Sequence, residues 1–455
     1  MKETDFTRRD FLGAAALVAG AGVVLSGCGK SEPKVTFTDT APDGPPLKAG
    51  LVGCGGRGTG AAQQFLKAGP NLSIVALADV FDDQLQKARK TLENKNKQKI
   101  EDSRCYTGFD AYKKLIDSDV DVVLLATPPH FRPLHFETAV EAKKHIFMEK
   151  PVAVDPTGVR SILASAAKAK AYNLCVVTGT QRRHQRQYVE TQARVAAGAI
   201  GKIIAARAAW MQSQLWYKPR QEGWNDMEAM LRDWVNWSWL SGDHIVEQHV
   251  HNIDVINWFA NDYPAKAIGL GARMRRVTGD QYDFFAVDFT YSGGKDAEGK
   301  EKDGMRMTSL CRQIDGCKND INEYIWGTEG STNCKDTIFD KEGKIVWQYQ
   351  EISKEAGTKM DPGKSYYNPY EQEHVDLVTA IRTNKPINEA ESTAKSTMTA
   401  IMGRISAYTG KEVTWDQVMS SDMRLGPKEY ALGPVDMKPD VPVPGTSKAA
   451  KPAEE

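Results

Sequence analysis

Two stretches of this 455-residue chain carry side chains suited to moving a proton and a hydride. The first is Met148-Glu149-Lys150-Pro151, which puts an amine just after the apolar run His145–Met148. The second is Gly242–Asp254, where three of the eight histidines (His244, His249 and His251) fall within eight residues. The spacing predicts a helix from about Val246 to Phe259. In such a helix Glu247, His251 and Asp254 share one face at steps of four and three, with Asp243 one turn earlier on the same line. Oxidising a secondary alcohol needs a base for the O–H proton while hydride leaves the carbon. Imidazole titrates near working pH, and an ammonium stabilises the developing oxyanion. Lys150 is therefore expected to polarise or relay, and His251 to act as general acid/base. Glu247 or Asp254 would fix the imidazole tautomer. A metal site from His249, His251 and Asp243 or Glu247 is the rival reading. A two-residue spacing cannot place both histidines on one helical face, so no metal is expected. A purely structural role for the cluster is the remaining alternative.

Those groups need a hydride carrier, and a place to hold one lies about a hundred residues before Lys150. Gly53-Cys54-Gly55-Gly56-Arg57-Gly58 follows the apolar run Ala49-Gly50-Leu51-Val52, within a strand read over Lys48–Gly53, and opens a helix over Thr59–Ala68. Gly53 would permit the tight turn, Gly55 the approach of a pyrophosphate, and Gly58 close helix-to-strand packing. Gly56 and Arg57 complete the loop, and the helix offers free N–H groups to phosphate. Asp79 ends the next strand, Leu72–Asp79, 21 residues after Gly58. An acid there suits the ribose 2′-OH of NAD. Val80 follows it and no Arg stands beside it, so NAD is favoured over NADP. A cap for the helix from Asp82 is the plainer role for Asp79.

Strand and helix alternate through Asp82–Asn94, Val120–Ala126, Pro133–Ala142, His145–Met148, Asp155–Ala171 and Leu174–Thr178. This predicts an α/β fold, a doubly wound parallel sheet of Rossmann type. The pattern then changes. Ile203–Gln212, Ala265–Arg275, Phe284–Tyr291, Met305–Gln313 and Asn322–Gly327 read as strands of a large, mostly antiparallel open sheet in a C-terminal α+β domain. Glu371–Thr383 and Ser392–Tyr408 read as helices.

The glycine loop, Ala126-Thr127-Pro128-Pro129, His135 and His145–Pro151 together resemble the Gfo/Idh/MocA family, that of glucose–fructose oxidoreductase and inositol dehydrogenase. The resemblance is close over the nucleotide domain and looser to about Trp415. It implies that Thr127, Pro128, His135, Glu149 and Lys150 line the nicotinamide end, with Pro151 after a constrained, cis-prone bond. It also implies that the last helices pack back on the first domain and that open sheets pair into a homo-oligomer. The family has Asp, then His, then Asp where this chain has Glu247, His251 and Asp254. Glu247 would lengthen the acid's reach or orient His251. His249 replaces a small residue and would narrow a sugar pocket. Arg182, Arg183, Tyr217, His249 and Asp254 are the expected substrate contacts. Seven aromatic side chains crowd the thirty residues Trp210–Trp239. They suit a carbohydrate platform as well as they suit ordinary packing or a subunit interface.

The ends read as an address and its tethers. Thr7-Arg8-Arg9-Asp10-Phe11-Leu12 resembles a twin-arginine export signal. The apolar run Gly13–Leu25 is short for a membrane span. Leu25-Ser26-Gly27-Cys28 resembles a lipoprotein box, so Cys28 would carry a lipid anchor. The expected organisation is signal 1–28, tether 29–47, NAD-binding domain 48–178, substrate and oligomerisation domain 179–415, and a C-terminal extension with disordered tail, 416–455. The expected location is the periplasmic side of a bacterial membrane. Lys+Arg and Asp+Glu are 59 each, and no long basic run appears, which argues against nucleic acid. The six cysteines after Cys28 show no metal-ligand spacing. A disulfide among Cys311, Cys317 and Cys334 is possible chemistry, but folding in a reducing cytoplasm before export disfavours it.

Together these features predict an NAD-dependent oxidoreductase acting on a CH–OH group of a sugar, glycoside or polyol. Because no free nicotinamide pool is expected outside the cytoplasm, the cofactor should be tightly held and recycled. The alternative is a redox-assisted glycosidase or lyase, in which transient oxidation permits elimination. A non-catalytic sugar-binding lipoprotein is the third reading.

Overall fold

The computed structural model describes residues 33, 35–295, 301–351, 367–437 and 440–446. The proposed signal and Cys28 lie outside the described residues.

Six parallel strands form the first sheet: β1 (Leu47–Val52), β2 (Leu72–Asp79), β3 (Cys105–Thr107), β4 (Val122–Leu125), β5 (His145–Met148) and β6 (Val176–Thr178). Their order is β3-β2-β1-β4-β5-β6. All four residues of β4 are buried, as expected for a strand with helices on both faces. The chain leaves β1 toward β2 on one side and reaches β4 on the other. That reversal opens a crevice at the strands' C-terminal ends, where Gly53 and Thr127 sit. Edge strand β3 and the short helix Ala111–Ile116 were not evident in the sequence. Three residues are too few to display a period.

The second sheet has nine strands: β7 (Ile203–Gln212), β8 (Pro264–Ala272), β9 (Phe284–Lys295), β10 (Glu301–Gln313), β11 (Asp320–Gly327), β12 (Ser331–Thr332), β13 (Thr337–Phe339), β14 (Ile345–Gln348) and β15 (Val413–Thr414). The order is β14-β13-β12-β11-β7-β10-β9-β8-β15. Every pairing is antiparallel except β7 with β10. One face packs under the helices Val250–Ala260 and Ala390–Thr409, where Ala206, Ala208, Ile253 and Met398 share a core. The other face is bare, with Ile204, Ile268 and Leu270 each more than half exposed. Helix Pro369–Arg382 returns to the first domain, its Val375, Leu377 and Val378 joining Phe65 and Leu85.

Three expectations need correction. The helix expected over Val246–Phe259 is two helices, His244–Glu247 and Val250–Ala260, broken at Gln248-His249. Each piece is anchored separately. Asp243, at φ +70°, accepts from the N–H groups of His244 and Tyr282 and the hydroxyl of Tyr408. Asn252 donates to Ala209 O and Glu323 Oε1. The expected tether is not loose over residues 37–46. Ala41 is buried, Arg382 Nη1 donates to Pro42 O at 2.6 Å, and Gln372 Nε2 donates to Thr38 O at 2.9 Å. The C-terminal extension is likewise a packed strap over 420–437. Leu425 N–H donates to Asp155 Oδ2 at 2.8 Å, and Met227 N–H to Gly433 O at 3.1 Å. Local composition, rich in Pro and Gly, hid both segments because their partners are distant in sequence. The six cysteines are all free thiols.

Candidate functional site

The glycine loop is built as a cradle. Gly53 has φ +95°, and a Cβ there would lie 2.6 Å from the backbone of Ala126 and Thr127. A Cβ on Gly58 would lie 1.9 Å from Gly53 O, so the helix Gly56–Lys67 touches the strand only because both are glycine. At Gly55 and Gly56 a Cβ would meet nothing within 4 Å. Those two face open space, in a cavity they share with Gly53, Asp79, Thr127, Pro128 and His135. No side chain caps the helix and no acid stands in its first turn. This donor set fits the phosphates of a dinucleotide. Asp79 accepts from the N–H of Cys54 at 2.7 Å and of Phe81 at 2.9 Å. Burial raises its carboxyl, against those two hydrogen bonds.

Past Thr127 the wall becomes polar. His135 Nδ1 pairs with Thr127 Oγ1 at 3.2 Å, and its ring lies 4.1 Å from that of Tyr112. Burial pushes this imidazole down to about 3, so it is neutral. Lys150, joined to Pro151 by a cis peptide bond, donates to Glu247 O at 2.5 Å and to Glu247 Oε1 at 3.1 Å. The side chains of the pair are 11% and 8% exposed, so their attraction is little screened. His251 stacks on Trp210 with centroids 5.5 Å apart. Burial, then the charges of Lys150, Arg182 and Arg57, holds it well below the ordinary imidazole range. A neutral imidazole beside a paired ammonium can accept a proton from a hydroxyl.

Arg57 turns away from the loop and pairs with Glu149, with Glu373 3.7 Å away. Burial pulls its guanidinium down, and these two carboxylates outweigh that effect. Glu373 is fully buried, and burial raises it well above the ordinary carboxylate range. Sequence reasoning missed Glu373, because helix Pro369–Arg382 reaches the crevice only through the fold. It also missed Glu323 on β11, which pairs with Arg182 at 2.7 Å.

Within this frame the chain can be compared with known proteins. Residues 47–180 match the family described as oxidoreductase, NAD-binding Rossmann fold. Over these residues the chain matches the NAD-binding domain of the Gfo/Idh/MocA oxidoreductases. It is 26% identical over 252 residues to an inositol 2-dehydrogenase of Rubrobacter xylanophilus, covering 55% of this chain and 62% of that one. It is 24% identical over 309 residues to a glycosyl hydrolase family 109 protein of a Shewanella strain, covering 65% and 61%. The chain thus spans about three fifths of the length of these relatives. Among solved structures, a levoglucosan dehydrogenase with NADH and levoglucosan matches at TM-score 0.61 and 17% identity, over 81% of this chain and 99% of that one. An aldose-aldose oxidoreductase from Caulobacter crescentus matches at 0.58 and 16%, over 81% and 99%. At such identities they show a shared fold.

Several expected substrate contacts are placed elsewhere by the structure. Arg183 and Asp254 hold each other in a buried bidentate pair at 2.8 and 2.9 Å, and Asp254 also accepts from Ser396. Asp254 therefore orients Arg183 rather than His251. His249 is fully buried, with Nε2 on Ser309 Oγ at 2.7 Å, so it stiffens the helix break and narrows no pocket. Tyr217 is half exposed on the loop after β7. Arg182 remains near His251, over the Trp210 ring at 5.5 Å. The aromatic run divides as well. Trp210 joins the reaction end, Trp239 is core against Phe131, and Trp216 and Trp234 line the Asp79 end of the cavity. His249, His251 and Asp243 have separate partners and do not converge on a metal position.

Proposed function

We propose that this chain is an NAD-dependent oxidoreductase acting on a CH–OH group of a sugar, glycoside or polyol. The observation that carries the reading is Lys150, paired with Glu247 and close enough to lower the basicity of His251, just past the C-terminal end of β5, on the same sheet edge as the glycine loop after β1. Bound NAD would supply the hydride acceptor. The chain's own groups do the rest. His251 takes the hydroxyl proton, the Lys150 ammonium stabilises the oxygen as negative charge develops, and Glu247 holds Lys150 in place. Asp79 favours NAD over NADP, since a 2′-phosphate would face its carboxylate.

Sugar and polyol substrates are supported by the names of the relatives. The similarity to the Shewanella protein favours one second reading, in which oxidation is transient and a glycosidic bond is cleaved before the ketone is reduced again. The residues from Arg8 to Cys28 support export and lipid anchoring on the periplasmic side of a membrane, and hence a cofactor recycled in place. The bare face of the second sheet supports self-association.

The test is to denature the purified protein, identify released nucleotide by mass spectrometry, and follow nicotinamide absorbance of the intact protein as glycosides and keto-sugars are added. Reduction of bound NAD by a sugar is the expected result, and product analysis then separates oxidation from bond cleavage. A protein with neither bound nucleotide nor affinity for NAD would rule out both enzyme readings.

A further inference from the structure

The cavity that begins at the glycine loop is lined at its Asp79 end by residues of both domains. Trp216, Leu231, Arg232 and Trp234 come from the second domain, and Phe81 and Phe109 from the first. The Trp216 and Trp234 rings meet edge to face at 6.3 Å. The roof is fastened to the floor. Arg232 lies 4.0 Å over the Phe81 ring and donates twice to Asp83, at 2.9 and 3.1 Å. A strap from the C-terminal extension holds both sides. Tyr430 Oη bonds His130 Nε2 at 2.7 Å on the first domain, while Gly433 O accepts from Met227 on the roof's own helix, Asp226–Arg232.

We propose that this roof is the chain's adenine site and that it makes the dinucleotide non-exchanging during turnover. The inference rests on the NAD reading above and adds what retains the cofactor. A wall of indole and phenyl rings suits a flat purine, because every base has a π-face that stacks on aromatic side chains. Asp79, at the margin of that wall, stands where an adenosine ribose belongs in a glycine-loop fold. Release would require the roof to part from the floor, which breaks the Arg232–Asp83 pair and disturbs the strap. A freely exchanging cofactor site needs no such fastening between domains.

The experiment uses the full chain loaded with NAD and passed through a desalting column. Bound nucleotide is counted after acid release, and exchange is followed with radiolabelled NAD. The wild-type chain is expected to keep roughly one nucleotide and exchange it over hours. Trp216→Ala removes a half-exposed side chain, so the fold should survive, and exchange should quicken by at least about tenfold. Arg232→Gln, which removes the Asp83 pair and the cation over Phe81 but keeps every ring, should act in the same direction. Wild-type exchange within seconds, or Trp216→Ala and Arg232→Gln exchanging at the wild-type rate, overturns the roof and leaves the NAD reading intact. A wild-type chain with no affinity for NAD overturns both.

Discussion

The two ends of the candidate site are built from different materials. At one end stand Lys150, Glu247, His251, Arg57 and Glu149, charged or titratable groups that are mostly buried and paired. At the other stand Trp216, Trp234, Phe81 and Phe109, with Asp79 at the margin. Charges in a dry site strengthen each other and can move protons. Rings bind flat surfaces and leave protonation alone. The contrast divides labour: the polar end transforms and the aromatic end retains. A substitution at one end should leave the other end's property untouched.

The largest effect is expected from Lys150→Ala. Turnover of a competent sugar should fall by about a thousandfold or more, with bound nucleotide unchanged. Parallel loss of nucleotide, measured after desalting, would break the division between the ends. Asp254→Ala comes next and tests whether that residue belongs to the scaffold. It strands the buried Arg183 charge, and denaturant unfolding should show a loss of about 3–5 kcal/mol. Native stability with a raised KM would instead return Asp254 to the substrate contacts. Asp79→Ala should weaken NAD by about tenfold to a hundredfold by calorimetry, with kcat at saturating NAD preserved.

The smallest effect is on stability against pH. Seven histidines, among them His130, His135 and His249 at about 3, are held below the ordinary imidazole value, chiefly by burial. Below a pH of about 6.5 the unfolded chain therefore binds protons that the folded one refuses, and stability drops as pH falls. Several groups oppose this. His184 is raised by Glu389 and Asp376 despite its burial, and burial raises carboxyls such as Asp79, Glu323 and Glu373 and pushes Asp243 up to about 6. These favour the folded state at lower pH. The seven should prevail, and Tm should fall by a few degrees between roughly pH 7 and 6. A flat or rising Tm by calorimetry would mean that these imidazoles charge within the fold.

Legibility followed the range of the interactions. The strands β1, β2, β4 and β5 were readable because a buried parallel strand must be apolar on both faces, and the glycine loop because close backbone contact admits no Cβ. The break at Gln248-His249 was not readable. The periodic pattern runs through it, and it exists because Asp243 and Asn252 answer to different neighbours. The placement of Asp254 was misjudged for a related reason. Helical spacing reports which residues share a face, but not whether an arginine 71 positions away already occupies that face.

By itself, then, the sequence determined the fold class, the cradle at Gly53–Gly58, and the pairing of a lysine with a histidine-bearing second domain. Those follow from local rules of burial period, glycine sterics and side-chain chemistry. The tertiary structure alone decided that Glu247 holds Lys150 and that Asp254 holds Arg183 instead of His251. It also alone brought Glu373 and Arg57 behind the crevice and divided the tryptophans between the reaction end, the core and the roof. Those outcomes depend on contacts between residues far apart in the chain, where charge and ring partners are chosen by three-dimensional packing and no sequence period records the choice.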